Sequence, residues 1–216
     1  MTTILALFIL GIGVVYVAVL SWFIRQDSNR FRQENNRIAA HESGHAIAAW
    51  SCTIVSDIHH ITIEKSNGGE VEYAFFILPK APWCLLVIHL AGLTAEIAKY
   101  GKFRSGYCIT DLYKSLQCAE EIVKNGIQCP WELPALSRSL PFHKMYVEDI
   151  SLECQQVLLQ AYNYCRSLLD THRHQYKILL AQLKNKKTIS SPQEIESVLG
   201  NRDLITGLRS VKIGFV

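Results

Sequence analysis

RIAAHESGHAIAAWS, residues 37–51, sets two histidines four positions apart, with a glutamate directly after the first and small residues around them. Residues 36–52 lack proline and are rich in alanine, so the stretch predicts a helix. Residues four apart on a helix share a face, with Cβ atoms about 6 Å apart. Two imidazoles so placed, His41 and His45, can both reach one zinc ion at ~2.0–2.1 Å. Glu42 then lies beside the metal, where it can take a proton from a water molecule whose pKa zinc lowers toward ~7. Gly44 costs ~1 kcal/mol of helix propensity relative to alanine, which points to close approach by another element. The pattern also arises by chance, so a third ligand decides the matter.

Several third-ligand arrangements are testable by spacing. A metzincin needs Gly and His three and six positions after the second histidine, and Ala48 and Ser51 stand there. Glu64 is near enough in sequence, but it falls on an expected strand that turns it away. The run Arg32, Glu34, Asn35, Asn36 and Arg37 argues against a motif buried inside a membrane helix.

The chain has 216 residues with 22 Lys and Arg against 19 Asp and Glu, a net charge of +3 that gives no reason to expect a nucleic-acid partner. Residues 4–24, ILALFILGIGVVYVAVLSWFI, carry no charge and are long enough for a helix to cross a bilayer. Nothing basic precedes the run and bulky Trp22-Phe23 stands near its end, so an anchor is expected rather than a cleaved signal. Arg25, Arg30, Arg32 and Arg37 follow it, which puts the N-terminus outside and the following domain in the cytoplasm. Seven scattered cysteines without a CxxC pair read as reduced thiols.

Residues 1–25 are thus expected as a transmembrane anchor, 26–35 as a linker, 36–200 as one domain and 201–216 as a tail. Within the domain, HHITIEK and VEYAFFIL around SNGGE (66–70) predict a hairpin. A core helix is expected from Pro82 to a stop at Gly101. A loop around Gly106 then leads to a helix capped by Thr110 and ended by Asn125-Gly126. A long helical segment over 146–187 carries Ile150, Cys154, Val157, Leu158, Ala161 and Cys165 on one stripe. A capping box of Ser191, Pro192 and Glu194 opens a short helix that ends at Gly200. The fold class is mainly α (α+β), a helical domain with a small β-hairpin.

Four blocks in order, HESGHAIAAW, IHHITIEKSNGGEVEYAFFILP, LAGLTAEIAKYG and RSGYCITDLYKSLQCAEEIVKNG, resemble the peptidase domain of the FtsH family of membrane-anchored zinc proteases. The C-terminal segment resembles the family's closing helices, and the likeness runs from about 33 to 200. It implies one zinc per chain held by His41, His45 and Asp111, with Glu42 activating the water. From the residues alone, Asp111 serves equally as a helix-capping carboxylate. Glu96 stands where the family keeps a glutamate near the metal, either as partner of a ligand histidine or as a buried glutamate paired with a Lys or Arg. Val71, Tyr73 and Phe75 lie on the strand whose edge could receive a peptide. The other six histidines, His89 among them, are read as ordinary surface or core residues.

The sequence departs from the family pattern at Leu93, where an arginine is typical, and at Ile97, where a second acidic residue is. It contains no GxxxxGK[ST] phosphate loop. The expectation is therefore a membrane-anchored zinc endopeptidase, ATP-independent in itself, that cuts unfolded or flexible protein segments. The competing expectations are a non-catalytic membrane-tethered adaptor of the same fold and a peptidase subunit that works with a separate ATPase. A homo-oligomer is compatible with each.

Overall fold

Ala39, Ala40, Ala46, Ala48 and Ala49 are fully buried, and Ile38 and Ile47 nearly so, so the motif-bearing end of helix α1 (Thr2–Ser51) is buried on all sides and serves as a core helix. The structure is a computed structural model that describes residues 2–52, 54–65, 68–75, 81–103, 105–131, 140 and 150–200. The chain divides into two units, 1–37 and 38–216. In the first, the stretch 26–35, expected as a linker, is helical, exposed over 26–33 and half-buried at 34–35.

The second unit holds the site. Helix α2 (Ala81–Tyr100) is buried along most of its length, as expected from its Pro and Gly punctuation. It is long and apolar enough to cross a membrane, and its burial marks it as a core helix. It crosses close to α1 at Gly44, where an added Cβ would lie 2.8 Å from the Ala95 Cβ and closer still to the Ala91 carbonyl oxygen. This is the close approach that the glycine foretold.

The hairpin forms as β1 (Val55–Lys65) and β2 (Gly68–Phe75), antiparallel, with Ile61 opposite Val71. Ile58 and Ile61 are both fully buried despite their odd spacing. The register shift between Ile58 and His60 adds one residue to β1 and restores the inward face. A third strand, β3 (Thr188–Ile189), escaped the sequence reading. It pairs with β1 and gives the order β2-β1-β3, so β2 is an edge.

Helix α3 (Ser105–Lys124) corrects the expected boundary. It starts six residues before Asp111, so Thr110 is a mid-helix residue rather than a cap. The expected long helix is two, α4 (Leu152–Thr171) and α5 (Arg173–Lys186), broken at His172; residues 146–149 lie outside the described part. The stripe is sound: Cys154, Leu158, Ala161 and Cys165 are buried. Helix α6 (Pro192–Leu199) has Ser191 at its N-cap, but the capping box does not form. Ser191 Oγ donates to Gln193 Oε1 at 2.8 Å, and the Glu194 carboxylate pairs with Lys186. All seven cysteines are free thiols.

Candidate metal centre

His41 and His45 stand one turn apart on the buried end of α1, 2 % and 8 % exposed. Each ring is fixed through its Nδ1. His45 Nδ1 lies 2.7 Å from the Ile88 carbonyl oxygen of α2, and His41 Nδ1 lies 2.9 Å from Glu96 Oε1 of the same helix. A carbonyl or carboxylate oxygen accepts and does not donate, so both Nδ1 atoms carry the proton. In each neutral ring the Nε2 lone pair then points inward. The two Nε2 atoms are 2.9 Å apart, and Asp111 Oδ2 of α3 lies 2.8 Å from the first and 3.2 Å from the second.

Three electron-pair donors aimed at one point repel one another unless a proton or a metal ion lies among them. The three separations approach the ~3.3 Å edge of a tetrahedron of ligands at ~2.0–2.1 Å, and two imidazoles with a carboxylate make a donor set suited to zinc. The residues therefore fit the metal. In the bare protein, burial disfavours charge on His41, yet hydrogen bonds with Asp111, Cys108 and Glu96 outweigh it and raise its pKa well above the usual value. Asp111 shows the converse: burial opposes its charge, and His45 and His41 hold its carboxyl well below the ordinary range.

Glu42 is 4 % exposed. Burial raises its pKa, while His41 and His45 pull it back. Two glycines make room for this cluster. At Gly69 of β2 an added Cβ would lie 2.6 Å from Glu42 Oε1, and at Gly92 of α2 it would lie 2.5 Å from His45 Nε2. Strand and helix therefore close on the site as bare backbone.

A cleft of about 300 Å³ opens beside these residues. Gly69, Val71 and Tyr73 of β2 line one side, and Thr110, Asp111 and Lys114 of α3 another. Burial pushes the Tyr73 hydroxyl up to about 12. Phe75 closes β2 opposite Val55, and its side chain lies outside the described part. Glu64 is exposed on β1, away from the site, as its strand position implied.

Two residues of the site escaped the sequence reading. Cys108, fully buried, donates its thiol to Glu96 Oε1 at 3.1 Å and lies 3.6 Å from His41 Nδ1. Its signal was the three-residue spacing to Asp111, invisible while 105–110 read as a loop. His89, taken as an ordinary histidine, lines the cleft.

A buried His-His-Asp cluster with a neighbouring glutamate is a donor set that can hold a metal ion. No protein-family model matches the chain. It is distantly similar to FtsH-type proteases. It is 26 % identical over 187 residues to the mitochondrial inner membrane m-AAA protease component yta12 of Schizosaccharomyces pombe, covering 79 % of this chain and 24 % of that protein. It is 24 % identical to the ATP-dependent zinc metalloprotease FtsH of Pseudomonas putida, over 76 % of this chain and 30 % of the relative. The ATP-dependent zinc metalloprotease FtsH 3 of Petrotoga mobilis is also 24 % identical, over 77 % and 29 % respectively. The likeness thus spans less than a third of each relative's length and corresponds to a peptidase domain alone.

Proposed function

We propose that the chain is a membrane-anchored, zinc-dependent endopeptidase acting on unfolded or flexible protein segments. The convergence of His41 Nε2, His45 Nε2 and Asp111 Oδ2, with both opposite ring nitrogens already engaged, carries this reading. These three residues would hold the metal. Zinc, when bound, supplies Lewis acidity that polarises a peptide carbonyl and acidifies a water molecule. Glu42 accepts the proton of that water on its carboxylate and is the group placed to return it to the departing amine. Burial under Gly69 excludes bulk water from the carboxylate and brings its basicity nearer to neutral pH. Glu96 holds the His41 ring in its orientation, and the Ile88 carbonyl holds that of His45. The outer edge of β2 is placed to offer main-chain hydrogen bonds to an extended substrate, with Val71 and Tyr73 lining the cleft.

Membrane attachment through residues 4–24 is supported by the exposure of Val19, Leu20, Trp22, Phe23 and Ile24 on a helix. The arginines that follow favour a cytoplasmic peptidase. The relatives, two of them ATP-dependent proteases by name, favour a second reading in which an ATPase on another chain feeds this one.

The test is cleavage of casein by the purified chain with zinc. The expected result is cleavage without ATP, lost in Glu42→Gln by about 10²–10⁴-fold at unchanged zinc content. Equal cleavage by the variant would refute the role of Glu42. Stimulation by ATP only when an ATPase co-purifies would favour the second reading.

A further inference from the structure

The polar groups around the cleft separate by sign. Glu42 lies under Gly69 on the β2 side. Glu70, also on that side, is 3.4 Å from His60 Nε2, so a ring nitrogen already faces it. Away from that edge, His89 of α2 and Lys114 of α3 line the same cleft. Lys114 follows Asp111 by three positions, which puts the two on one face of α3. Asp111 turns its Oδ2 to the two histidines. Among the described residues, neither His89 nor Lys114 has a hydrogen-bond partner.

We propose that His89 and Lys114 form a carboxylate-binding subsite beside the metal centre. It selects peptide segments that carry an acidic side chain, or a free C-terminal carboxylate, next to the bond to be cut. The inference rests on the peptidase reading and names the substrate class for it. Lys114 contributes a point charge with three donors, and His89 contributes one N–H. A carboxylate satisfies both donors at once, whereas a basic or neutral side chain leaves at least one unmatched.

Binding is read on the full-length, zinc-loaded Glu42→Gln chain by fluorescence anisotropy, with labelled unstructured decapeptides. The set carries Asp or its isostere Asn near the centre, each as free acid and as C-terminal amide. The expected result is about tenfold tighter binding of a carboxylate-bearing peptide than of the Asn amide. The Asp amide and the Asn free acid distinguish the side chain from the terminus as its source. Lys114→Gln should erase the preference, and Lys114→Glu should reverse it toward a peptide with Lys in place of Asp. His89→Leu should weaken the preferred peptide by about fivefold and leave the Asn amide unchanged. Equal affinity across the four peptides, no binding by any of them, or a preference untouched by Lys114→Glu overturns the subsite. Casein cleavage and zinc content of the wild-type chain report separately on the peptidase reading.

Discussion

At Gly92 the α2 backbone runs so close to the imidazoles that an added Cβ would lie 2.5 Å from His45 Nε2 and 2.7 Å from His41 Nε2. A single methyl there intrudes on the point where the lone pairs meet. Gly92→Ala should therefore weaken zinc binding at least as much as loss of a supporting hydrogen bond, about 10–100-fold, with helix content by circular dichroism unchanged. Unchanged zinc affinity would mean that the rings do not converge as described. Gly69→Ala acts on the other partner: its Cβ meets the Glu42 carboxylate, so zinc content should stay at wild-type level while cleavage falls. The raised pKa of His41, a balance in which Asp111, Cys108 and Glu96 overcome burial, gives a pH prediction with a definite sign. Zinc needs the Nε2 lone pair, and a raised pKa keeps that atom protonated to higher pH. Zinc affinity should fall as pH is lowered, and the fall should begin above the ordinary histidine value of about 6.5. Zinc titrations between pH 6 and 8.5 check this, and a flat profile would contradict it.

Elements follow the sequence where their ends are punctuated and depart from it where they are not. Pro82 and Gly101 frame α2, and the structure starts and stops it within a residue of them. Gly106 and Thr110 look like similar punctuation, yet α3 runs through both, because burial of Cys108 and Leu112 turns the stretch inward. The break at His172 has no Pro or Gly to announce it, and β3 is two residues long, too short for any period to show. Within the site, His41, Glu42 and His45 were legible because their relation is local to one helical turn. Asp111 and Glu96 came only through family likeness, since their approach depends on how α2 and α3 pack. Cys108 was missed because its stretch reads as a loop, and His89 because nothing local distinguishes it. Gly44 shows a local signal with a packing cause. Gly44→Ala gains ~1 kcal/mol of helix propensity, but its Cβ meets the Ala91 carbonyl and the Ala95 methyl, and such overpacking costs about 1–3 kcal/mol. The net effect should be a lower thermal midpoint by circular dichroism, and a raised midpoint would show that α1 and α2 have room to separate.

At the scale of the whole molecule the chain is two units. Among the described residues, the unit of residues 38–216 gathers most of its apolar side chains in one core around the end of α1, α2 and the sheet, with Ile109, Tyr113 and Leu152 left exposed. The unit of residues 1–37 leaves Val19, Leu20, Trp22, Phe23 and Ile24 about half exposed. Clustered exposed apolar residues are costly in water, at about 25 cal/mol per Å², and cost nothing in a hydrocarbon layer. With Trp22 at the end of the uncharged run and Arg25, Arg30 and Arg32 just beyond it, hydrophobic and charged groups are ordered as at a bilayer boundary. The full chain should therefore sediment with membranes, resist alkaline extraction and be released by detergent. A chain lacking residues 1–24 should stay in the supernatant and still bind one zinc, because every metal-centre residue lies beyond Arg37. Release of the full chain by alkali alone would remove the anchor from the proposed function, and it would leave the chemistry of His41, His45 and Asp111 untouched.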